Sequence, residues 1–302
     1  MPELPDVELY LHALRSRVEG EVLEGVRLAS PFLLRSVDPP LSEFQEKRVL
    51  GLRRIGKRVV LEFEGEPEER LFLVIHLMIS GRFRWKDAGA KIPGRLGLAA
   101  FDFSSGTLLM TEASKKKRAS LYAVRGEEAL REHDPGGREL DELDQAGFTA
   151  ILTAKNHTLK RALTDPRGLS GIGGAYADEI MHRAGISPLK WTERLSEDEL
   201  AALFEASKGV LDEWTERLLE QTGAKFPEKV TAFRPEMAVH GKYGEPCPVC
   251  ESPVQRIVYA SNETNYCARC QTGGKLLADR ALSKLLTDDW PKTLEDLEEG
   301  KA

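Results

Sequence analysis

Long apolar runs are missing from this chain of 302 residues. No stretch approaches the roughly 20 apolar residues that a membrane-spanning helix requires. The first residues, Met1 to Asp6, also lack the basic and apolar regions of a secretory signal. These absences predict a protein with no membrane segment and a cytoplasmic location. Hydrophobic residues make up 41% of the chain, which is enough for a sizeable core.

Net positive charge is also missing, because 43 Lys and Arg residues stand against 49 Asp and Glu residues. The resulting charge of -6 argues mildly against a nucleic-acid partner, since phosphate binding requires local positive charge. The basic residues nevertheless form three clusters, which are Arg53, Arg54, Lys57 and Arg58; Lys115, Lys116, Lys117 and Arg118; and Lys155, Lys160 and Arg161. They allow a basic face on an acidic body, although a solvated surface explains any single cluster equally well.

Cysteine is scarce, and its four copies all lie near the C-terminus. They form two Cys-x-x-Cys pairs, Cys247 with Cys250 and Cys267 with Cys270, separated by sixteen residues. This arrangement favours a metal site over disulfides. Four thiolates that close a tetrahedral shell are typical of a structural zinc site, so we predict one structural Zn(2+) ion. Modules of this kind bind DNA, RNA or protein, so the zinc site alone does not define the function.

The spacing of apolar residues changes along the chain. It predicts an amphipathic helix over about residues 6–18 and a series of short strands from Val22 to Val124, as in a β-sandwich or barrel. Helical spacing begins at about Gly126, and Ser196 with Glu199 has the pattern of a capping box. The predicted divisions are a catalytic domain at 2–125, a helical domain at 126–239, a four-cysteine zinc finger at 240–273 and a C-terminal tail at 274–302.

The amino terminus offers a possible nucleophile. A small second residue such as Pro2 favours removal of Met1, which exposes a secondary amine. The reference pKa of an α-amino group is about 7.7–8.0, so a useful neutral fraction exists near pH 7. Attack of this amine on a sugar carbon gives a cationic iminium that draws electrons during elimination of the 3′ phosphate. Glu3 can move the protons that this reaction requires. The ordinary alternative is a proline-rich cap before a helix.

Three segments together resemble the formamidopyrimidine-DNA glycosylase/endonuclease VIII family, over about residues 2–273. They are the N-terminal Pro2-Glu3-Leu4-Pro5-Asp6-Val7-Glu8, the glycine turn and following run from Leu169 to Glu179, and the cysteine module from Gly244 to Gln271. The resemblance implies an α+β fold with an N-terminal helix plus a β-sandwich domain, a helical domain with a helix–two-turn–helix motif, and a C-terminal zinc finger. It also implies that damaged DNA crosses a cleft and that a flipped-out base is excised.

The resemblance also assigns residues to roles. It implies that Pro2 attacks C1′, that Glu3 assists ring opening and proton transfer, and that Lys57 binds a phosphate near the lesion. The segment His76-Leu77-Met78-Ile79-Ser80-Gly81 resembles the turn whose side chain displaces the base. The candidate DNA-binding residues are His76, Met78, Ile79, Lys115, Lys116, Lys117, Arg118, Lys160, Gly173, Gly174, Asn262 and Arg269. The candidate zinc ligands are Cys247, Cys250, Cys267 and Cys270.

Several positions depart from the family pattern. The family usually has a phosphate-binding Asn where Gly174 stands, and its DNA-binding Arg in the zinc hairpin falls at Asn262. Arg256 or Arg269 is a possible substitute. Ile79 occupies the usual methionine position, with Met78 adjacent. The loop that normally carries an Arg-Phe pair aligns with Ser114 to Arg118, which contain no aromatic residue. A basic loop suits contact with the DNA backbone better than base readout.

The sequence therefore supports three hypotheses. The leading one is a monomeric base-excision-repair glycosylase with abasic-site lyase activity, associated with the nucleoid in a bacterial-type cytoplasm. The altered positions favour a second hypothesis, a protein of the same fold that binds damaged or structured DNA and excises little. The third is an RNA- or partner-binding zinc-ribbon protein with no DNA role.

Overall fold

The computed structural model describes residues 1–66, 69–259, 262–278, 280–287 and 291–298. The chain divides into two compact units, which are residues 1–136 with 214–231, and residues 137–213 with 232–302. Each unit is described by itself below. The four-part domain division predicted from the sequence stays a prediction, and part of its tail lies outside the described residues.

The first unit consists of a helix and two sheets. Helix α1 spans Leu4–Val18. The strands are β1 (Leu23–Leu28), β2 (Val49–Ile55), β3 (Arg58–Phe63), β4 (Leu71–His76), β5 (Gly81–Lys86), β6 (Gly97–Phe103), β7 (Gly106–Glu112) and β8 (Ser120–Arg125). They form two four-stranded antiparallel sheets, with orders β1-β6-β7-β5 and β2-β3-β4-β8. A short helix α2 (Glu127–Arg131) follows β8. This sheet-rich unit confirms the predicted fold class for the N-terminal part of the chain.

Helix α1 contacts both sheets, one through Tyr10 and the other through Glu8. The Tyr10 side chain is fully buried, and its ring meets Phe83 of β5 edge-on, with ring centroids 5.2 Å apart. On the same helix, Glu8 pairs with Arg54 of β2 at 2.9 Å. The segment after the long helix of the chain also joins this unit, because Phe226 lies 6.0 Å from the Tyr10 ring and 6.5 Å from Trp85. The amino terminus therefore begins a helix that is fixed on several sides.

The second unit is mainly helical. Its elements are α3 (Gln145–Thr153), α4 (Leu159–Leu163), α5 (Gly174–Arg183), most of α6 (Glu197–Thr222), the hairpin β9 (Gln255–Tyr259) and β10 (Asn262–Tyr266), α7 (Ala268–Thr272), α8 (Arg280–Leu286) and α9 (Leu294–Glu298). The predicted capping box is present at α6, where Ser196 N–H donates to Glu199 at 2.9 Å and Glu199 N–H donates to the Ser196 hydroxyl at 3.2 Å. Among the described residues, no helix has the length and apolarity that a membrane crossing requires.

The C-terminal tail is part of the second unit's core. Leu276 and Leu294 are buried against Ile257 and Tyr266 of the hairpin. The Leu277 N–H donates to the Tyr266 hydroxyl at 2.8 Å. The tail therefore covers one side of the zinc-finger hairpin, a role that the sequence did not indicate.

The carboxylate of Glu179 on α5 organises the chain before the zinc finger. It is 6% exposed and accepts the N–H groups of Ala238, Val239 and His240 at 2.8–2.9 Å. Buried donors that lose their acceptor cost about 1–3 kcal/mol each.

We expect Glu179→Ala to lower the free energy of unfolding by roughly 3 kcal/mol, because up to three buried N–H groups lose one acceptor. Glu213→Ala is the matched control, since Glu213 forms a half-exposed pair with Arg183 and its loss costs at most about 1 kcal/mol. Urea titration of zinc-loaded protein measures both values. Equal midpoints for the two variants would contradict this assignment.

Candidate active site and nucleic-acid interface

Pro2 and Glu3 lie buried at the start of α1. Glu3 is the N-cap residue, and its N–H donates to the Asp6 carboxylate at 3.0 Å. The Glu3 side chain accepts in return from the backbone of Asp6, which completes a reciprocal capping box. Glu3, one of the two residues predicted to carry the chemistry, is thus held at the first turn of the helix, and Pro2 directly precedes it.

Charge and burial both act on the amino terminus. Burial lowers the pKa of the Met1 amine, the Glu3 carboxylate opposes this effect, and the nearby Arg82 guanidinium lowers the pKa further. Burial also lowers the pKa of Lys57, again against the effect of Glu3. Lys57 lies in the turn between β2 and β3 beside Gly56, whose φ of +58° is a conformation that glycine adopts easily. The structure therefore places Lys57, Glu3 and the amino terminus within electrostatic reach of one another.

Arg82 was not predicted from the sequence. Its guanidinium donates to the carbonyl oxygens of Val230, Gly81 and Ile79, the last two at 2.6 and 3.2 Å. It therefore ties the turn before β5 to the segment around Val230. The sequence does not reveal this role, because the hydrogen-bond partners of Arg82 are backbone atoms and leave no pattern of side chains to recognise.

The turn that connects β4 to β5 displays one apolar side chain. Ile79 is 59% exposed, while Met78 is partly buried and has a φ of +53°, which is rare for a residue other than glycine. A Cβ at Gly81 would lie 2.2 Å from the Leu77 carbonyl oxygen, so only glycine closes this turn. His76 precedes the turn. Burial lowers its pKa to about 4, with further lowering by Arg58 and Lys57, so its ring is neutral at pH 7.

Glu112 connects this turn to the basic loop, and the sequence did not single it out. Its carboxylate is 2% exposed and accepts from the Ser80 hydroxyl at 3.2 Å, from Arg118 N–H at 3.0 Å and from Ala119 N–H at 3.1 Å. Lys117 bends inward and donates to the Glu112 carbonyl. Lys115, Lys116 and Arg118 remain exposed. In the sequence, this role is indicated only by an acidic residue at the end of the largely apolar strand β7.

In the second unit, Lys160 is paired within the protein. Its ammonium lies 2.7 Å from the fully buried Asp178 carboxylate and donates to the Glu263 carbonyl at 2.9 Å. Asp178 also accepts from Asn265 N–H at 3.2 Å and contacts His240 Nδ1 at 2.9 Å. The Lys160 charge is therefore largely neutralised.

Gly173 and Gly174 begin α5 near this lysine. Gly173 is the N-cap residue and Gly174 is the first residue of the helix. A Cβ at Gly174 would meet only the Lys160 side chain, at 4.0 Å, which is ordinary van der Waals contact. The helix start therefore has room for a side chain at this position.

The four cysteines meet as predicted, and their sulfur atoms all lie within 4.8 Å of one another. Such a set of four thiolates fits one tetrahedral structural zinc ion with no open coordination position. Cys267 caps α7, and His182 Nε2 lies 3.3 Å from the Cys247 sulfur. The predicted zinc cofactor is thus confirmed by the donor set and the zinc-finger match reported below.

The candidate residues on the hairpin are exposed. Asn262 and Arg269 both lie at the surface. Arg256 stacks on the Tyr243 ring, with its guanidinium carbon 4.2 Å from the ring centroid, and lies 3.8 Å from Glu263. The contribution of each to DNA binding stays a prediction.

Comparison with known proteins assigns most of this architecture to one family. Three family descriptions match in order: the formamidopyrimidine-DNA glycosylase N-terminal domain over residues 1–135, its H2TH domain over 136–224, and the zinc finger found in FPG and IleRS over 244–273. A formamidopyrimidine-DNA glycosylase of Neisseria meningitidis is 31% identical over 290 residues, covering 90% of this chain and 100% of that protein. The chain belongs to the formamidopyrimidine-DNA glycosylase family.

Other relatives share parts or all of this glycosylase fold. An uncharacterized formamidopyrimidine-DNA glycosylase-like protein of Mycobacterium tuberculosis is 40% identical over 153 residues, covering 50% of this chain and 92% of that protein. The solved Lactococcus lactis formamidopyrimidine-DNA glycosylase, non-covalently bound to DNA containing an abasic site, has a TM-score of 0.77 at 23% identity. That alignment covers 89% of this chain and 99% of the solved chain, and it supports the predicted fold.

The space at Gly174 leads to a gain-of-affinity prediction for this family member. We expect Gly174→Asn to tighten binding to DNA that contains an abasic-site analogue by about two- to tenfold, because an added amide can donate one hydrogen bond to a phosphate. Gly174→Ala, which adds the Cβ without the amide, should bind as wild type does. Fluorescence anisotropy measures the three dissociation constants, and equal values for Asn and Ala would refute the role of the side chain.

Proposed function

We propose that this chain removes a damaged base from DNA and then cleaves the abasic site, with the Pro2 amine as nucleophile. The first part follows from its family: the chain is a DNA glycosylase of base-excision repair, and lyase activity through a Schiff base is typical of that family. The assignment of residues to roles rests on buried Pro2 and Glu3 at the start of α1, with partly buried Lys57 of the β2–β3 turn within electrostatic reach of Glu3.

The chemistry requires removal of Met1, because an amide nitrogen at Pro2 has no nucleophilic lone pair. The free amine then forms a bond to C1′ while the glycosidic bond breaks and its electron pair leaves with the base. Glu3 moves protons to and from the sugar as the ring opens to the iminium. Loss of a C2′ proton and departure of the 3′ phosphate cut the strand, and a second elimination releases the 5′ phosphate. Lys57 binds a phosphate and stabilises the departing base.

The surroundings of the amino terminus suit this role. Burial and Arg82 both lower the pKa of the Met1 amine. We expect the same surroundings to act on the Pro2 amine after Met1 is removed and to keep more of it neutral near pH 7 than in solution. The zinc ion, held by four thiolates, acts only as a structural cross-link.

A second candidate is a protein that binds damaged DNA and excises little. The exposed Ile79 and the loop of Lys115 to Arg118 favour it, because neither provides an aromatic side chain to fill the gap left by a flipped base. Tight binding without turnover, unchanged in Pro2→Gly, would support this candidate. A preference for RNA over DNA would instead support a zinc-ribbon protein without a DNA role.

The partner we propose is damaged DNA, because solved complexes of related glycosylases contain such DNA. We further infer that the protein acts as a monomer. Because its substrate is chromosomal DNA and its relatives are bacterial, we place it in the cytoplasm at the nucleoid.

Borohydride trapping on an abasic-site oligonucleotide tests the nucleophile. We expect one covalent adduct that maps to Pro2, and a loss of at least about 100-fold in Pro2→Gly. Glu3→Gln should slow excision of a damaged base by at least about 100-fold, because the proton shuttle is lost. Glu24→Gln, on the exposed side of β1, is the matched control. Intact mass spectrometry first establishes that Met1 is absent. A processed wild type that binds the DNA and forms no adduct would overturn the proposal.

We expect Arg82 to influence the acid limb of the pH profile, which is the pH range in which the rate of borohydride trapping falls as the terminal amine becomes protonated. Because its positive charge lowers the pKa of the terminal amine, Arg82→Gln raises that pKa and leaves less neutral amine at low pH. The acid limb should move to higher pH by roughly half a unit, with the alkaline plateau as the reference. Arg82→Lys retains the charge and should retain the wild-type limb. A limb that stays in place in Arg82→Gln would count against the electrostatic role.

A further inference from the structure

Arg58 differs from the other partly buried arginines of the first unit. Its guanidinium forms no ion pair in the part of the chain that the structure describes, and its shielded Nε, like those of Arg53 and Arg70, has no hydrogen-bond partner. By contrast, Arg54 pairs with Glu8 at 2.9 Å and Arg70 pairs with Glu62 at 2.7 Å. Buried polar groups in proteins are almost always partnered, so an exception points to a group that binds there.

The position of Arg58 is next to the candidate active site. It is the first residue of β3 and follows Lys57 directly. In the sheet register it lies opposite His76 of β4, so the two side chains share one face. The loop after α2 borders the same place, since His133 lies 4.6 Å from the Tyr122 ring and Pro135 lies 3.7 Å from the position of a Cβ on Gly56.

The groups around Arg58 include the cation Lys57 and, among the described residues, no carboxylate paired with Arg58. The Asp134 carboxylate acts on Arg58 electrostatically but accepts the Gly136 N–H of its own loop at 2.8 Å. Burial lowers the pKa of both His76 and His133, so both rings are neutral at pH 7 and each can donate one hydrogen bond. A buried guanidinium without a partner is unfavourable, and an anion that binds it removes this cost.

We propose that Arg58 and His133 form an anion site beside Lys57 that binds a DNA backbone phosphate next to the one held by Lys57. The inference rests on the proposed function for the identity of the polymer. Guanidinium matches phosphate geometry with two parallel hydrogen bonds, which a lysine cannot provide. His133 lies within electrostatic reach of Arg58 and adds a neutral donor.

Binding to a duplex with an uncleavable tetrahydrofuran abasic analogue, measured over a range of salt concentrations, tests this site. We expect Arg58→Gln to bind about tenfold more weakly at low salt, and the slope of log Kd against log salt to fall by about one, as for the loss of one phosphate contact. Arg27→Gln is the matched control, because it removes the same charge from an arginine paired with Asp102 at 2.6 Å. It should reproduce the wild-type affinity and slope.

The outcomes separate the two proposals. A wild-type affinity and slope in Arg58→Gln would overturn the phosphate site. Because the analogue cannot react, a failure of the Pro2 chemistry leaves this result unaffected. If Arg58→Gln does not fold, Arg58→Lys replaces it. That variant keeps the positive charge but loses the two parallel hydrogen bonds that a guanidinium can donate to phosphate. We therefore expect an intermediate affinity with the wild-type slope, and full wild-type affinity would overturn the site.

A second arm identifies the source of the phosphate. Thermal unfolding without DNA is compared with and without inorganic phosphate for wild type and Arg58→Gln. A phosphate-dependent stabilisation that needs Arg58, together with unchanged DNA affinity in Arg58→Gln, would assign the site to free phosphate and overturn the DNA assignment. Loss of DNA affinity in the variant supports it.

Discussion

The anchoring of α1 is the constraint on which the rest of the catalytic unit depends. A nucleophile at the chain end has only one neighbour to hold it, so its position is only as well defined as the helix that follows. Tyr10 fixes the position of α1, since its buried ring contacts Phe83 and Phe226, and Phe83 N–H donates to its hydroxyl at 3.4 Å. Burial also raises the pKa of Tyr10, so the hydroxyl stays protonated.

Buried carboxylates perform the corresponding task elsewhere. Glu112 holds two loops of the first unit together, and Asp178 and Glu179 hold the segments that converge on α5 in the second. Each accepts several hydrogen bonds, which is the condition under which a buried charge is tolerated. Buried carboxylates therefore hold the loops and helix starts that we expect to contact DNA. This arrangement agrees with a chain of net negative charge whose exposed loops are basic.

Local patterns predicted much of this architecture. The strand runs, the Ser196–Glu199 capping box and the meeting of the four cysteines all depend on residues close in sequence, and the structure contains each of them. The family assignment was confirmed, because it rested on motifs that are specific in combination. Arg82, Glu112 and Asp178 escaped notice because their partners are distant in sequence or are backbone atoms. For the same reason, the pairing of Lys160 could not be anticipated from its basic cluster.

The tail that packs on the zinc hairpin has a consequence for how the finger responds to its chemical environment. Thiolates are open to oxidation, and their loss as ligands would release the metal. In this chain the same hairpin is also held by Leu276 and Leu294, whose contacts involve no sulfur and no ion. Oxidation can therefore remove the zinc ligands that hold the hairpin, whereas the packing of Leu276 and Leu294 against it does not depend on thiolates. The zinc-finger hairpin would therefore retain part of its packing under oxidising conditions.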